Sequence, residues 1–121
     1  MLRERGDKNT MVNLEHFRQS IQTILTKHGS SKPKNEDVEK EFIFDTIHDH
    51  YQLIYVGWNG LKRVYHSMMH FDIKDGKIWI QQNMTDVDLA EELLEMGIEK
   101  EDIVLGLQPP YKRPYTGYGI A

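Results

Sequence analysis

Six histidines and nineteen acids, with no cysteine, set the range of side-chain chemistry open to this chain. Without cysteine there is no thiolate nucleophile, no disulfide framework and no Cys-ligated zinc or iron–sulfur centre. The close histidine pairs are His48-x-His50 and His66-x₃-His70. Alternate residues of a strand share a face, so His48 and His50 could converge if extended, but His48 falls in a turn. His66 and His70 on one strand would share a face about 13–14 Å apart, too far to hold one ion. Histidines on strand surfaces are the simpler account, and we expect neither a metal site nor a cofactor.

Phe44-Asp45-Thr46 beside Asp49-His50 is the most reactive-looking cluster. Asp45, Asp49 and His50 together could support general acid–base chemistry or a metal-dependent hydrolase. The competing reading is that Asp45, Thr46 and Asp49 organise a turn through side chain–backbone hydrogen bonds. Ser20, Ser30, Ser31 and Ser67 all lie outside any Gly-x-Ser-x-Gly elbow. Gly57-Trp58-Asn59-Gly60 and Gly117-Tyr118-Gly119 lack the strand–helix setting of a nucleotide-binding loop. The chain reads as non-enzymatic, with no catalytic residue assigned and the Asp45/Asp49/His50 enzyme as the alternative. The C-terminal tail is the stronger functional candidate. There Tyr111, Arg113, Tyr115 and Tyr118 alternate with Pro and Gly. Tyr and Arg are enriched among binding hot spots, and proline lowers the ordering cost of docking. These four residues are the candidate partner interface; a tail folded back over its own sheet is the alternative.

The elements that must position these residues follow from periodicity. Leu14, Phe17, Ile21, Ile24, Leu25 and His28 recur at helical spacing, with Asn13 as a candidate N-cap and Gly29 as a stop. From Val38 the pattern changes to strands: one over about 39–44, a second over about 50–56, a third over about 61–73 and a fourth over 77–81. Asn59-Gly60 and Asp75-Gly76 are type I′ hairpin signals. Thr85-Asp86-Val87-Asp88 resembles a capping box opening a helix that reaches about Met96, with Gly97 at its end. Ile103-Val104-Leu105 is a short apolar run that could form another strand. The prediction is an α+β domain: an N-terminal helix, a four-stranded antiparallel meander, a second helix and a C-terminal tail. The second and third strands are apolar on both faces, whereas two helices can cover only one face of the sheet. The other face should meet the tail, a second copy of the chain, or both, so a homodimer or higher oligomer is expected.

Composition narrows the class. The 121 residues suit one domain, and 39% hydrophobic and 28% charged residues with a net charge of −4 exclude intrinsic disorder. No apolar run approaches the ~18–20 residues of a membrane span, and Met1–Thr10 lacks the apolar core of a secretory signal, so a cytoplasmic protein is expected. Residues 86–102 hold eight acids against Lys100 alone, and 36–50 carry a further excess of acids. With a pI near 5.8, direct sequence-specific DNA binding is not expected. Residues 1–10 are polar and aperiodic and read as a disordered extension before a single domain over 11–121.

Longer strings carry a family resemblance. Asp49-His50-Tyr51-Gln52-Leu53, Val56-Gly57-Trp58 and His70-Phe71-Asp72-Ile73-Lys74-Asp75-Gly76-Lys77-Ile78-Trp79-Ile80-Gln81 resemble the XisI family. Lys100-Glu101-Asp102-Ile103-Val104-Leu105-Gly106 and Pro109-Pro110-Tyr111-Lys112-Arg113 resemble its C-terminal block. These are the fdxN element excision controlling factors of cyanobacteria, and the likeness spans about Met11 to Ala121. The resemblance implies a role in the programmed excision of a DNA element during heterocyst differentiation, with XisH as companion and a separate recombinase doing the cutting. It brings no catalytic residues with it.

Overall fold

The structure, a computed structural model, describes residues 7–120, with side chains from Asn13 onward. The first helix, α1 (Asp7–Gly29), is followed by four strands, β1 (Val38–Asp45), β2 (His50–Asn59), β3 (Lys62–Lys74) and β4 (Lys77–Asn83). A short helix α2 (Leu89–Glu95) then leads to β5 (Ile103–Leu105), and 3-10 turns lie at Lys100–Asp102 and Pro110–Tyr115.

Helix α1 begins six residues before the expected Asn13 cap. Once the buried turns around Phe17–Leu25 have nucleated a helix, adding upstream residues costs little, so a good capping residue need not act as one. Residues 7–10 of the expected disordered arm therefore belong to α1, and residues 1–6 lie outside the described residues. At α2 the cap is Asp88, whose side chain accepts the Glu91 N–H at 3.0 Å. Thr85 instead bonds Asn83 and the Val87 N–H, ordering the approach to the helix.

The four-stranded meander was an incomplete expectation. Strands β1 to β4 pair antiparallel in sequence order, but β5 adds a fifth strand that runs parallel to β4, making the sheet mixed. The connection through α2 crosses over and returns in the same direction, which is how parallel neighbours are joined. Three residues are too few to show a strand period in sequence. The β2–β3 turn is also shifted by one residue: Gly60 (φ 64°) and Leu61 form it, with Asn59 paired to Lys62. Positive φ at the first central residue alone is the type II′ pattern, whereas Asp75 and Gly76 both have positive φ, as type I′ requires.

One face of the sheet is covered. Phe17, Ile21, Ile24 and Leu25 of α1 and Leu89, Ala90 and Leu93 of α2 are buried against Tyr51, Leu53, Met69, Phe71 and Ile78. Each of the Phe, Ile, Leu and Met side chains among them contributes about 1.5–3 kcal/mol of transfer free energy, so this layer dominates stability. Helix α2 is further tied to α1 by Glu92, whose carboxylate lies 2.9 Å from His28 and 3.6 Å from Lys27. Among the described residues, the other face is covered chiefly at its β4–β5 side. There the Arg113 guanidinium lies over the Trp79 ring at 5.1 Å, while Gly119 pairs with Val104 along the outer edge of β5. Towards β1 and β2 this face stays open, with Ile43, Trp58 and Tyr65 exposed.

Candidate functional site

The β1–β2 turn sends its three reactive-looking residues in different directions. Asp45 Oδ1 accepts the backbone N–H groups of Ile47 and His48 at 2.9 Å, and Oδ2 meets His48 Nδ1 at 3.0 Å. The His48 backbone N–H is the main reason its carboxyl is held below the usual range. Asp49, at φ 60°, turns towards α1, where Arg18 Nε and Nη2 donate to it at 2.8 and 3.1 Å and the Tyr51 hydroxyl donates at 2.8 Å. Burial alone would raise the Asp49 carboxyl, but the Arg18 and Tyr51 hydrogen bonds outweigh it and hold it low. His50 lies on the opposite, open face. Asp45, Asp49 and His50 therefore do not converge on one reacting centre; the turn-organising reading describes Asp45 and Asp49.

His50 instead joins a cluster that sequence spacing did not reveal. Its Nδ1 lies 2.8 Å from Asp72 Oδ1, and His70 Nε2 lies 2.8 Å from the same oxygen. An ionised carboxylate only accepts, so both imidazoles donate to it. Gln81 Nε2 donates to Asp72 Oδ2 at 3.1 Å. Burial pushes the Asp72 carboxyl up, but these three donors together bring it below its ordinary value, and the bond to Asp72 raises His50. The strand register assembles the group: His50 is directly opposite Asp72, and His70 is two residues earlier on the same face of β3. A bulge opposite Leu53 and Ile54 breaks the alternation of β3, so His66, opposite Tyr55, faces away from His70, opposite Gln52. The expectation that His66 and His70 share a face is thereby corrected. The available signal was His70-x-Asp72 on one strand with a histidine across a hairpin, but only the register makes it readable. Two imidazoles and a carboxylate are also a possible ligand set for a metal ion.

The tail residues divide into two pairs. Arg113 Nε and Nη2 donate to the Gln108 and Gly106 carbonyls at 3.1 and 3.3 Å while the guanidinium covers Trp79. Tyr118 packs against the core cluster, and burial raises its phenol. Tyr111 and Tyr115 are 71% and 88% exposed, displayed by the 3-10 turn that Arg113 holds on the sheet. We expect Arg113→Ala to cost about 1–2 kcal/mol, from one cation–π contact and two carbonyl hydrogen bonds, and Tyr111→Ala within about 0.5 kcal/mol of neutral. Urea unfolding of the two variants side by side checks this; equal midpoints would show that Arg113 does not anchor the tail.

Taken together, the fold defines a helix-covered mixed α+β sheet whose second face carries a half-buried polar cluster and an exposed apolar patch. No helix among the described residues is long and apolar enough to cross a membrane. The XisI protein family matches residues 11–120, and the chain belongs to the XisI family. A crystal structure of a XisI-like protein from Anabaena variabilis is 54% identical, with a TM-score of 0.86 over 89% of this chain and 99% of that one. The fdxN element excision controlling factor XisI from Anabaena variabilis is 37% identical, with a TM-score of 0.80 over 90% of this chain and 99% of that one. No curated protein matches the chain significantly.

Proposed function

We propose that this protein is a non-enzymatic controlling factor for programmed DNA excision, acting through protein contacts with a XisH-like partner and with a second copy of itself. Membership of a family whose Anabaena variabilis member is an fdxN excision controlling factor supports the role. The observation that carries the binding mode is the arrangement of Tyr111 and Tyr115, exposed on a turn anchored by Arg113, on a molecule whose open sheet face also exposes Ile43, Trp58 and Tyr65. Aromatic side chains held on a rigid support are what a protein interface uses as anchors. The acids concentrated in 36–50 and 86–102 oppose contact with a phosphate backbone and favour a basic protein surface.

The test is light scattering of the purified chain, alone and mixed with a XisH-like protein. Alone, the mass should exceed the 14.3 kDa of one chain, and the mixture should give a stoichiometric complex. Tyr111→Ala and Tyr115→Ala together should weaken that complex by about 2 kcal/mol, roughly 30-fold, on the usual hot-spot scale. A mixture that never forms a complex would overturn the partnership; full affinity in the double variant would move it to another surface.

A further inference from the structure

His50, His70 and Asp72 come from two paired strands, and the two imidazoles converge on one carboxylate oxygen. We propose that these three side chains form a binding site for a divalent transition-metal ion of the zinc class. His50 Nδ1 and His70 Nε2 each lie 2.8 Å from Asp72 Oδ1, and one ligand atom from each of the three residues lies within 4.8 Å of the others. Neighbouring ligands around tetrahedral zinc, at bond lengths of roughly 2.0–2.1 Å, are about 3.3–3.4 Å apart, so the two imidazole nitrogens need to draw back from the carboxylate oxygen by about half an ångström. Small side-chain rotations therefore admit an ion between them without moving the strands.

The support for the ligands is built into the sheet. His50 and Asp72 are direct cross-strand partners, the last pair of the β2–β3 ladder, so the backbone holds the spacing before any ion arrives. Gln81, from the neighbouring strand β4, binds the other carboxylate oxygen and so leaves Oδ1 turned towards the imidazoles, the kind of outer hydrogen bond that orients metal ligands. Imidazole nitrogens with one carboxylate suit zinc and the later first-row divalent ions; calcium and magnesium prefer oxygen throughout. His50 is exposed, which gives an ion a route in. The two nitrogens that donate to Asp72 must surrender those protons or move them across the ring to ligate, so acid and metal compete for the same atoms.

The experiment is calorimetric titration of chelator-treated, full-length protein with zinc chloride near neutral pH, paired with its melting temperature. One equivalent of zinc per chain and a raised melting temperature are expected at micromolar protein. His50→Ala and His70→Ala should each weaken binding by about tenfold or more, by the measure of metal-site substitutions. His66→Ala, on the other face, and His48→Ala, in the turn, should leave it unchanged. Asp72→Asn keeps the side-chain shape and should weaken binding as well, which covers the case of a histidine variant that does not fold. Absence of zinc binding, or binding indifferent to His50, His70 and Asp72, would overturn the proposal. The assay contains no second protein, so its outcome is separate from that of the partner test.

Discussion

Replacing Asp49 by alanine is expected to lower the stability of the protein by about 3 kcal/mol, because it strands two buried or half-buried donors at once. Asp49 is 14% exposed and accepts a two-pronged contact from Arg18, itself 25% exposed, so the pair is neither a surface ion pair nor a fully dry one. The Tyr51 hydroxyl, on a fully buried side chain, also donates to Asp49. Alanine would in addition have to adopt the φ of 60° held by Asp49, a left-handed conformation that costs most L-residues about 1–2 kcal/mol. Asp49→Asn separates these effects: asparagine tolerates the dihedral and keeps an acceptor, but loses the charge. The sign of the pH dependence follows from the depressed Asp49 carboxyl. Its ionised form stabilises the fold in full above the ordinary carboxylate value of about 3.9, and that stabilisation is lost as pH falls through the lower folded value. The stability gap between the parent protein and Asp49→Asn should therefore be constant at neutral pH and close on acidification below about pH 4. Denaturant midpoints over that range test it; a gap that persists into strong acid would mean the charge of Asp49 contributes nothing.

Gly57→Ala should be at least as damaging, at about 3 kcal/mol or more, through overpacking against backbone. A Cβ at Gly57 would lie 2.0 Å from the Asp37 carbonyl oxygen and 2.7 Å from the Val38 Cα. No flexible side chain is available to give way. The start of β1 would have to move, breaking the hydrogen bond from the Trp58 N–H to the Asp37 carbonyl. Gly60→Ala is the contrasting case. Nothing lies within 4 Å of the added carbon there, and only the φ of 64° resists it. That substitution should cost about 1 kcal/mol. Equilibrium unfolding of the two variants gives the comparison, and a Gly57→Ala loss no greater than that of Gly60→Ala would rule out the close approach of β1 to β2 at this point.

Local signals in the chain are enough to lay out the layers of this protein. The helical spacing of Phe17, Ile21, Ile24 and Leu25 predicts the buried face of α1, and all four are buried. The strand patterns and the Asp75-Gly76 turn predict the antiparallel β1–β4 hairpins, and the longer strings from Asp49 to Gln81 predict the family. These signals are short-range: a period of 3.6 or 2 and a dihedral preference at a turn act within a few residues. How the pieces meet depends on contacts between distant segments. Three residues of β5 carry no period, and their parallel pairing depends on the path through α2. The bulge in β3 reverses which residues share a face, separating His66 from His70 and leaving His70 with His50 and Asp72. Arg113 reads as an interface residue in a Pro- and Tyr-rich tail, yet its guanidinium covers Trp79, 34 positions earlier in the chain. Register, bulges and the docking of the tail are set by packing between segments far apart in sequence, where a shift of one residue exchanges the two faces of a strand.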